Sequence, residues 1–172
     1  MTFSVPFKTL EFGFANYRTY FFSLVFVAGN ILLPQLCHLV PQGGLIFLPI
    51  YFFTLIAAYK FGLKVGLLTA VLSPVVNSLL FGMPVLAMLP VLLIKSSLLA
   101  IIAAWVSKNA HLSLLSVAFV VIAYQFAGGL AELIITVSFS AAVQDFVVGF
   151  PGMLIQIFLG WFVLRLLAKY EF

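Results

Sequence analysis

Residues 85–106 read VLAMLPVLLIKSSLLAIIAAWV, 22 residues carrying a single charge, Lys95. As an α-helix rising 1.5 Å per residue, the stretch reaches about 33 Å. A bilayer's hydrocarbon core is about 30 Å thick, so this segment is a membrane-crossing helix. The rest of the chain resembles it. Of 172 residues, 65% are hydrophobic and 7% charged, and the mean hydropathy is +1.30. A soluble domain carries roughly 25% charged residues, so a water-facing surface is excluded. Twenty Phe residues exclude intrinsic disorder. Six spans of about 20 residues take roughly 120 of the chain and leave only short loops. Residues 1–172 therefore form one transmembrane domain. Nucleotide hydrolysis, where it is coupled to this protein, belongs to other chains. The basic residues are scattered singly, which argues for membrane lipid and against nucleic acid as a partner.

Turn signals divide the chain. Residues 1–16 hold Phe3, Phe7, Leu10 and Phe14 at helical spacing around Lys8 and Glu11, which suits a short interfacial helix. The spans expected after it are about 17–36, 45–59, 63–80, 85–106, 112–140 and 147–168. They are separated by Pro41-Gln42-Gly43-Gly44, by Lys60 to Lys64, by Phe81-Gly82-Met83-Pro84, by Ser107 to His111, and by Gln144 to Gly152. No small-residue cleavage pattern precedes Cys37, so the first run reads as a permanent span. The apolar stretch 112–143 is long for one crossing. It is tilted, bent at Gly128-Gly129, or continued outside the membrane. With six spans, seven of the eight basic residues (Lys8, Arg18, Lys60, Lys64, Lys108, Arg165 and Lys169) fall on one side. The positive-inside rule makes that side, and both termini, cytoplasmic. The fold class is thus an all-α six-helix membrane bundle.

Charges at bilayer depth are costly and mark functional candidates. Lys95 and Glu132 qualify, and Gln156 lies at a similar distance from the outer surface. Asn77 and Gln35 lie nearer that surface. Two readings stay open for the charged residues. They form a structural ion bridge, or Lys95 faces an anionic or carbonyl group on a small ligand anchored by Glu132 and Gln156. Glu11, Asp145 and Glu171 fall at span boundaries and receive no role. Cys37-His38 lacks the further ligands a metal needs and an acid to orient a catalytic pair. These two are loop residues, or His38 or Gln42 helps close a lid over a site. No phosphate loop, HExxH or nucleophile elbow occurs, so no catalytic residue, metal or cofactor is expected. Gly62, Gly66 and Ala70 form one small-residue stripe, read as bundle packing. Ala15, Thr19 and Ser23 form another, at the cytoplasmic boundary where a partner helix could dock.

The run Gly62-Leu63-Lys64-Val65-Gly66-Leu67-Leu68-Thr69-Ala70-Val71-Leu72-Ser73-Pro74, with Asn77 and Phe81-Gly82-Met83-Pro84, resembles the third-helix region of the substrate-binding S components of energy-coupling factor (ECF) vitamin transporters. The resemblance implies a six-helix subunit in a prokaryotic cell membrane. Such a subunit captures a vitamin or related micronutrient with high affinity near the outer face, in a pocket built from spans four to six and the outer loops. It implies a transmembrane coupling subunit, docked on small residues of the first helix, and two ATPase subunits. Ala15, Thr19 and Ser23 are the nearest equivalents of that docking pattern, which in the family is Ala-rich. The histidine near the N-terminus that metal-importing relatives use is missing from Met1-Thr2-Phe3. Competing expectations are a non-enzymatic membrane scaffold or assembly subunit, and a self-contained carrier. The last would show an inverted repeat, and none is evident between residues 1–84 and 85–172.

Overall fold

The structure, a computed structural model, describes residue 7 and residues 9–170. Its helices are α1 (Tyr17–Cys37), α2 (Gly43–Phe47), α3 (Phe52–Phe81), α4 (Leu89–Asn109), α5 (Leu114–Thr136), α6 (Phe139–Val147) and α7 (Phe150–Leu167), with a 3₁₀ turn at Pro49–Tyr51 before α3. Five segments are long and apolar enough to cross a membrane: α1, the turn with α3, α4, α5 and α7. The chain is an all-helical, multi-pass membrane bundle.

Where two spans were expected between residues 45 and 80, α3 is two helices joined at Gly62, where the chain reverses. Gly62 has φ 82° and ψ 179°, a backbone region essentially confined to glycine. A Cβ built on Gly66 would lie 2.5 Å from the Cβ of Ala58. Along a straight helix, eight residues would separate them by about 12 Å. Residues 52–61 and 63–81 are therefore antiparallel arms packed back to back, and Gly66 is the close contact between them. The first arm starts later than expected. Residue 48, ahead of Pro49, is barred from the right-handed helical region. It turns left-handed at φ 47° and splits α2 from the 3₁₀ turn.

The long apolar stretch is neither one crossing nor bent at its glycines. Helix α5 passes unbroken through Gly128-Gly129 and stops at Thr136 rather than near 140, where Val137 takes φ 50°. Residues 139–147, the end of that stretch and the start of the expected loop, form α6, capped by Ser138, whose hydroxyl accepts from the Ala141 N–H.

Two prolines sit inside spans, and each leaves a carbonyl four residues back without its helical donor. Pro34 frees the Asn30 carbonyl, and the Asn77 amide of α3 donates to it at 2.9 Å. Pro74 frees the Ala70 carbonyl, and the Ser96 hydroxyl of α4 lies 2.8 Å from it, its one proton shared between that carbonyl and the Leu92 carbonyl of its own helix at 2.6 Å. In lipid no water can satisfy such groups, so the prolines turn backbone vacancies into interhelical bonds. Asn30 adds a hub. Its amide N–H₂ donates to the Thr54 and Ser73 hydroxyls at 3.0 and 3.1 Å, and its Oδ1 accepts from the Phe53 N–H in the first turn of α3. One side chain thereby joins α1 to both arms.

At one end of the bundle the N-terminal segment, the Gly62 reversal, the α4–α5 connection and the chain's C-terminal part converge. The Leu10 N–H donates to the Lys60 carbonyl at 2.8 Å, Thr9 bonds Ser107, and Lys108 pairs with Glu11. Lys60 is buried rather than presented on an open turn. Its ammonium donates to the Tyr170 carbonyl at 3.1 Å and lies 5.1 Å from the Phe7 ring centroid. Arg18, Lys64, Arg165 and Lys169 also belong to this end by their helix positions. The interfacial helix expected over 1–16 does not form among the described residues. Residues 9–12 run without helix along this end, drawn in by the Leu10 bond and by stacking of Phe12 on Phe22 and Phe61. Phe3 and Lys8 lie outside the described residues.

Candidate functional site

The opposite end carries a second buried lysine, this one paired with carboxylates. Lys95, on α4 and 3% exposed, pairs with Glu132 of α5 at 2.5 Å and with Asp145 of α6 at 2.8 Å. Sequence reading left Asp145 at a boundary without a role. It arrives because α6 folds back over α5. The two glycines at the middle of α5 make room for this. A Cβ on Gly128 would lie 2.6 Å from Cγ of Lys95, and one on Gly129 would lie 2.9 Å from the Ala142 carbonyl of α6. One glycine admits the lysine stem and its neighbour admits the helix bearing the second carboxylate. The cluster sets one cation against two carboxylates, with two of the ammonium's three donors occupied.

Gln156 of α7 is buried as well, but its partners are different. Its Oε1 accepts from the Tyr124 hydroxyl at 2.8 Å, and its amide donates to the Leu48 carbonyl at 3.5 Å. Tyr124 packs on Tyr51 with ring centroids 5.4 Å apart. Backbone close approach reinforces the tie between α7 and α2, since a Cβ on Gly152 would lie 2.5 Å from the Phe47 carbonyl. Gln156 thus holds the segment joining α1 to α3 against α7.

Beside that segment lies a cavity of about 560 Å³, within the range of small-molecule sites. Its walls come from the end of α1, the 38–50 connection, the far arm of α3, and the Met83–Met88 connection into α4. His38, Gln42 and Asn77 are the polar side chains facing it, among Met83, Met88, Leu45, Leu92 and prolines. Asn77 is 2% exposed, and its amide N–H₂ is spent on the Asn30 and Ser73 carbonyls at 2.9 and 3.0 Å. Its Oδ1 is buried behind the cavity wall and accepts no hydrogen bond from the described chain. A buried amide oxygen left open costs about 1–3 kcal/mol, and a ligand donor recovers it where the wall side chains part to admit it. The non-glycine residues with positive φ, Gln42, Leu48 and Val137, all belong to this end, and such backbone strain clusters where binding or switching occurs.

A smaller cavity of about 350 Å³, almost wholly apolar, runs between α1 and α7 and touches Cys37 and Gln156. Gln35 is half-buried on α1 and lines neither cavity. His38 is exposed at the rim of the larger one.

The first-helix stripe does not face outward. Thr19 and Ser23 are buried within the chain. Thr19 donates to the Gly13 carbonyl at 2.8 Å, and Ser23 to the Thr19 carbonyl at 2.7 Å, with Val65 of α3 beside it. Ala15 alone of the three is exposed. The small residues are consumed by packing α1 on α3, as Gly66 and Ala70 are by packing α3 on itself and on α4, so the stripe offers no free docking face here. Asn30 and Gln125, both buried, escaped sequence reading. Each was detectable as a lone amide inside an apolar run. Among the described residues no three His, Cys, Asp or Glu side chains gather as a metal-holding group. Comparison with protein-family models, curated proteins and solved structures finds no match to the chain.

Proposed function

We propose that the chain is a membrane-embedded substrate-capture subunit for uptake of a vitamin or related micronutrient, of the kind the ECF S components represent. The observation that carries the reading is the roomy cavity beside Asn77, whose buried amide oxygen has no partner among the described residues. The second arm of α3 makes one crossing, and the short first arm makes another together with the 43–51 segment ahead of it, so that α1, α4, α5 and α7 bring the total to six. The end where the basic residues gather is then cytoplasmic, and the cavity opens on the outside of a prokaryotic cell membrane. The same reading assigns no chemistry to the chain itself. A coupling subunit and two ATPase subunits supply the energy. With Thr19 and Ser23 turned inward, the coupling subunit meets the lipid-facing side of α1, where Tyr20, Leu24 and Ala28 lie.

In this reading Lys95 acts through Glu132 and Asp145, pinning α6 to α4 and α5 and so shaping the outer mouth, instead of meeting an anion directly. The test is a ligand-dependent thermal-shift screen of the purified protein against water-soluble vitamins and their precursors. Binding stabilises the folded state by mass action, about 2.7 kcal/mol at a hundredfold excess over Kd. At least one compound should raise the melting temperature in a saturable way, and Met88→Trp, which narrows the cavity, should reduce the rise. A well-behaved protein that no compound stabilises would end the capture reading. A scaffold needs no cavity, and Met88→Trp would leave its work intact.

A further inference from the structure

Given the capture reading, the cavity also constrains what it holds, and we infer that its ligand is an uncharged, largely apolar molecule presenting an N–H or O–H donor to Asn77. Among the described residues, none of the side chains lining the cavity is Lys, Arg, Asp or Glu. The charged groups buried at this end, Lys95, Glu132 and Asp145, are bound to one another. A carboxylate or phosphate entering the cavity would shed water without gaining a counter-charge, at a cost of several kcal/mol. His38, the titratable side chain on the wall, sits exposed at the rim, where water screens it.

The polarity of the hydrogen bond follows from Asn77. Its amide nitrogen is held by two backbone carbonyls, one of them the Asn30 carbonyl that Pro34 left vacant. A flip would set the amide oxygen against both carbonyls and leave the Asn30 carbonyl vacant, so the group left over is an acceptor. The ligand must donate. Met83 and Met88 supply a deformable, polarisable wall suited to the face or edge of a ring.

The inference is tested by isothermal titration at pH 8 with matched pairs that differ in charge: nicotinamide and nicotinate, pantothenol and pantothenate, biotinamide and biotin, riboflavin and its 5′-phosphate. The neutral member of at least one pair should bind at least tenfold more tightly than its anionic partner. Asn77→Leu should weaken that binding about tenfold, the equivalent of 1.4 kcal/mol. Because Asn77 also bonds α1, Met88→Trp serves as a second variant that narrows the cavity without touching those bonds, and it should weaken the same binding at least tenfold. An anionic member that binds as well as its neutral partner would overturn the inference while leaving capture standing. Neutral binding that survives both variants would also overturn it, by placing the ligand elsewhere. Heat from no compound at all would fell the capture reading and this inference with it.

Discussion

Replacing Lys95 with Met tests the charged cluster most directly. The ammonium holds two carboxylates, at 2.5 and 2.8 Å, whose side chains are 5% and 12% exposed. A hydrogen bond to a charged group contributes about 1.5–3 kcal/mol, so losing two costs about 3–6 kcal/mol. Removing one partner of a buried pair independently suggests about 3–5 kcal/mol. For a chain of this length 1 kcal/mol is worth about 2–4 °C, and Lys95→Met should lower the melting temperature by about 10 °C or more. Glu132→Gln should cost far less, about 1–2 kcal/mol, since Gln keeps an acceptor toward Lys95 and the Asp145 pair survives. The triple variant Lys95→Met, Glu132→Leu, Asp145→Leu should recover most of the loss, because apolar side chains of similar size replace an entire buried ion cluster at little net cost. Thermal unfolding in one fixed detergent, followed by the fluorescence of Trp105 and Trp161, gives the ordering. If Lys95→Met melts within about 2 °C of the parent, or Glu132→Gln costs as much as Lys95→Met, the cluster is not what holds α6 in place.

Other perturbations probe the scaffold. Gly62→Ala forces a Cβ into a backbone region that only glycine tolerates and should cost about 1–3 kcal/mol in the same melt, whereas Gly82→Ala, at a left-handed helix end with open space around it, should cost less. Ser96→Ala strips the donor from the Ala70 carbonyl and should destabilise by about 1–3 kcal/mol. In a Pro74→Ala background, where residue 74 supplies its own N–H, most of that loss should vanish, and a double-mutant cycle reads the difference. Gln125 is 1% exposed with neither side-chain polar atom partnered among the described residues, so Gln125→Leu should raise the melting temperature by several degrees, and a fall would show that the amide has a partner in the membrane.

The membrane class, the places where most helices begin and end, and the gathering of basic residues at one end are local or compositional properties. Hydropathy runs, Pro and Gly punctuation and charge spacing encode them directly, so the chain's order of residues determined them. Partner choice is different, because it depends on how helices rotate and fold back. Lys95 and Glu132 were visible as charges in apolar runs, but Asp145 joins them only because Val137 turns and α6 folds onto Gly129. The stripe of Ala15, Thr19 and Ser23 reads identically whether it faces a partner or its own α3, and only packing showed the second. Asn77 was marked as a polar residue near the outer surface. That its oxygen is the one left open follows from Pro34, 43 positions earlier, releasing a carbonyl that claims the amide nitrogen. A hydrogen-bond vacancy of that kind belongs to no single helix. It exists only once α1 and α3 are packed, which is why the cavity's chemistry had to wait for the tertiary structure.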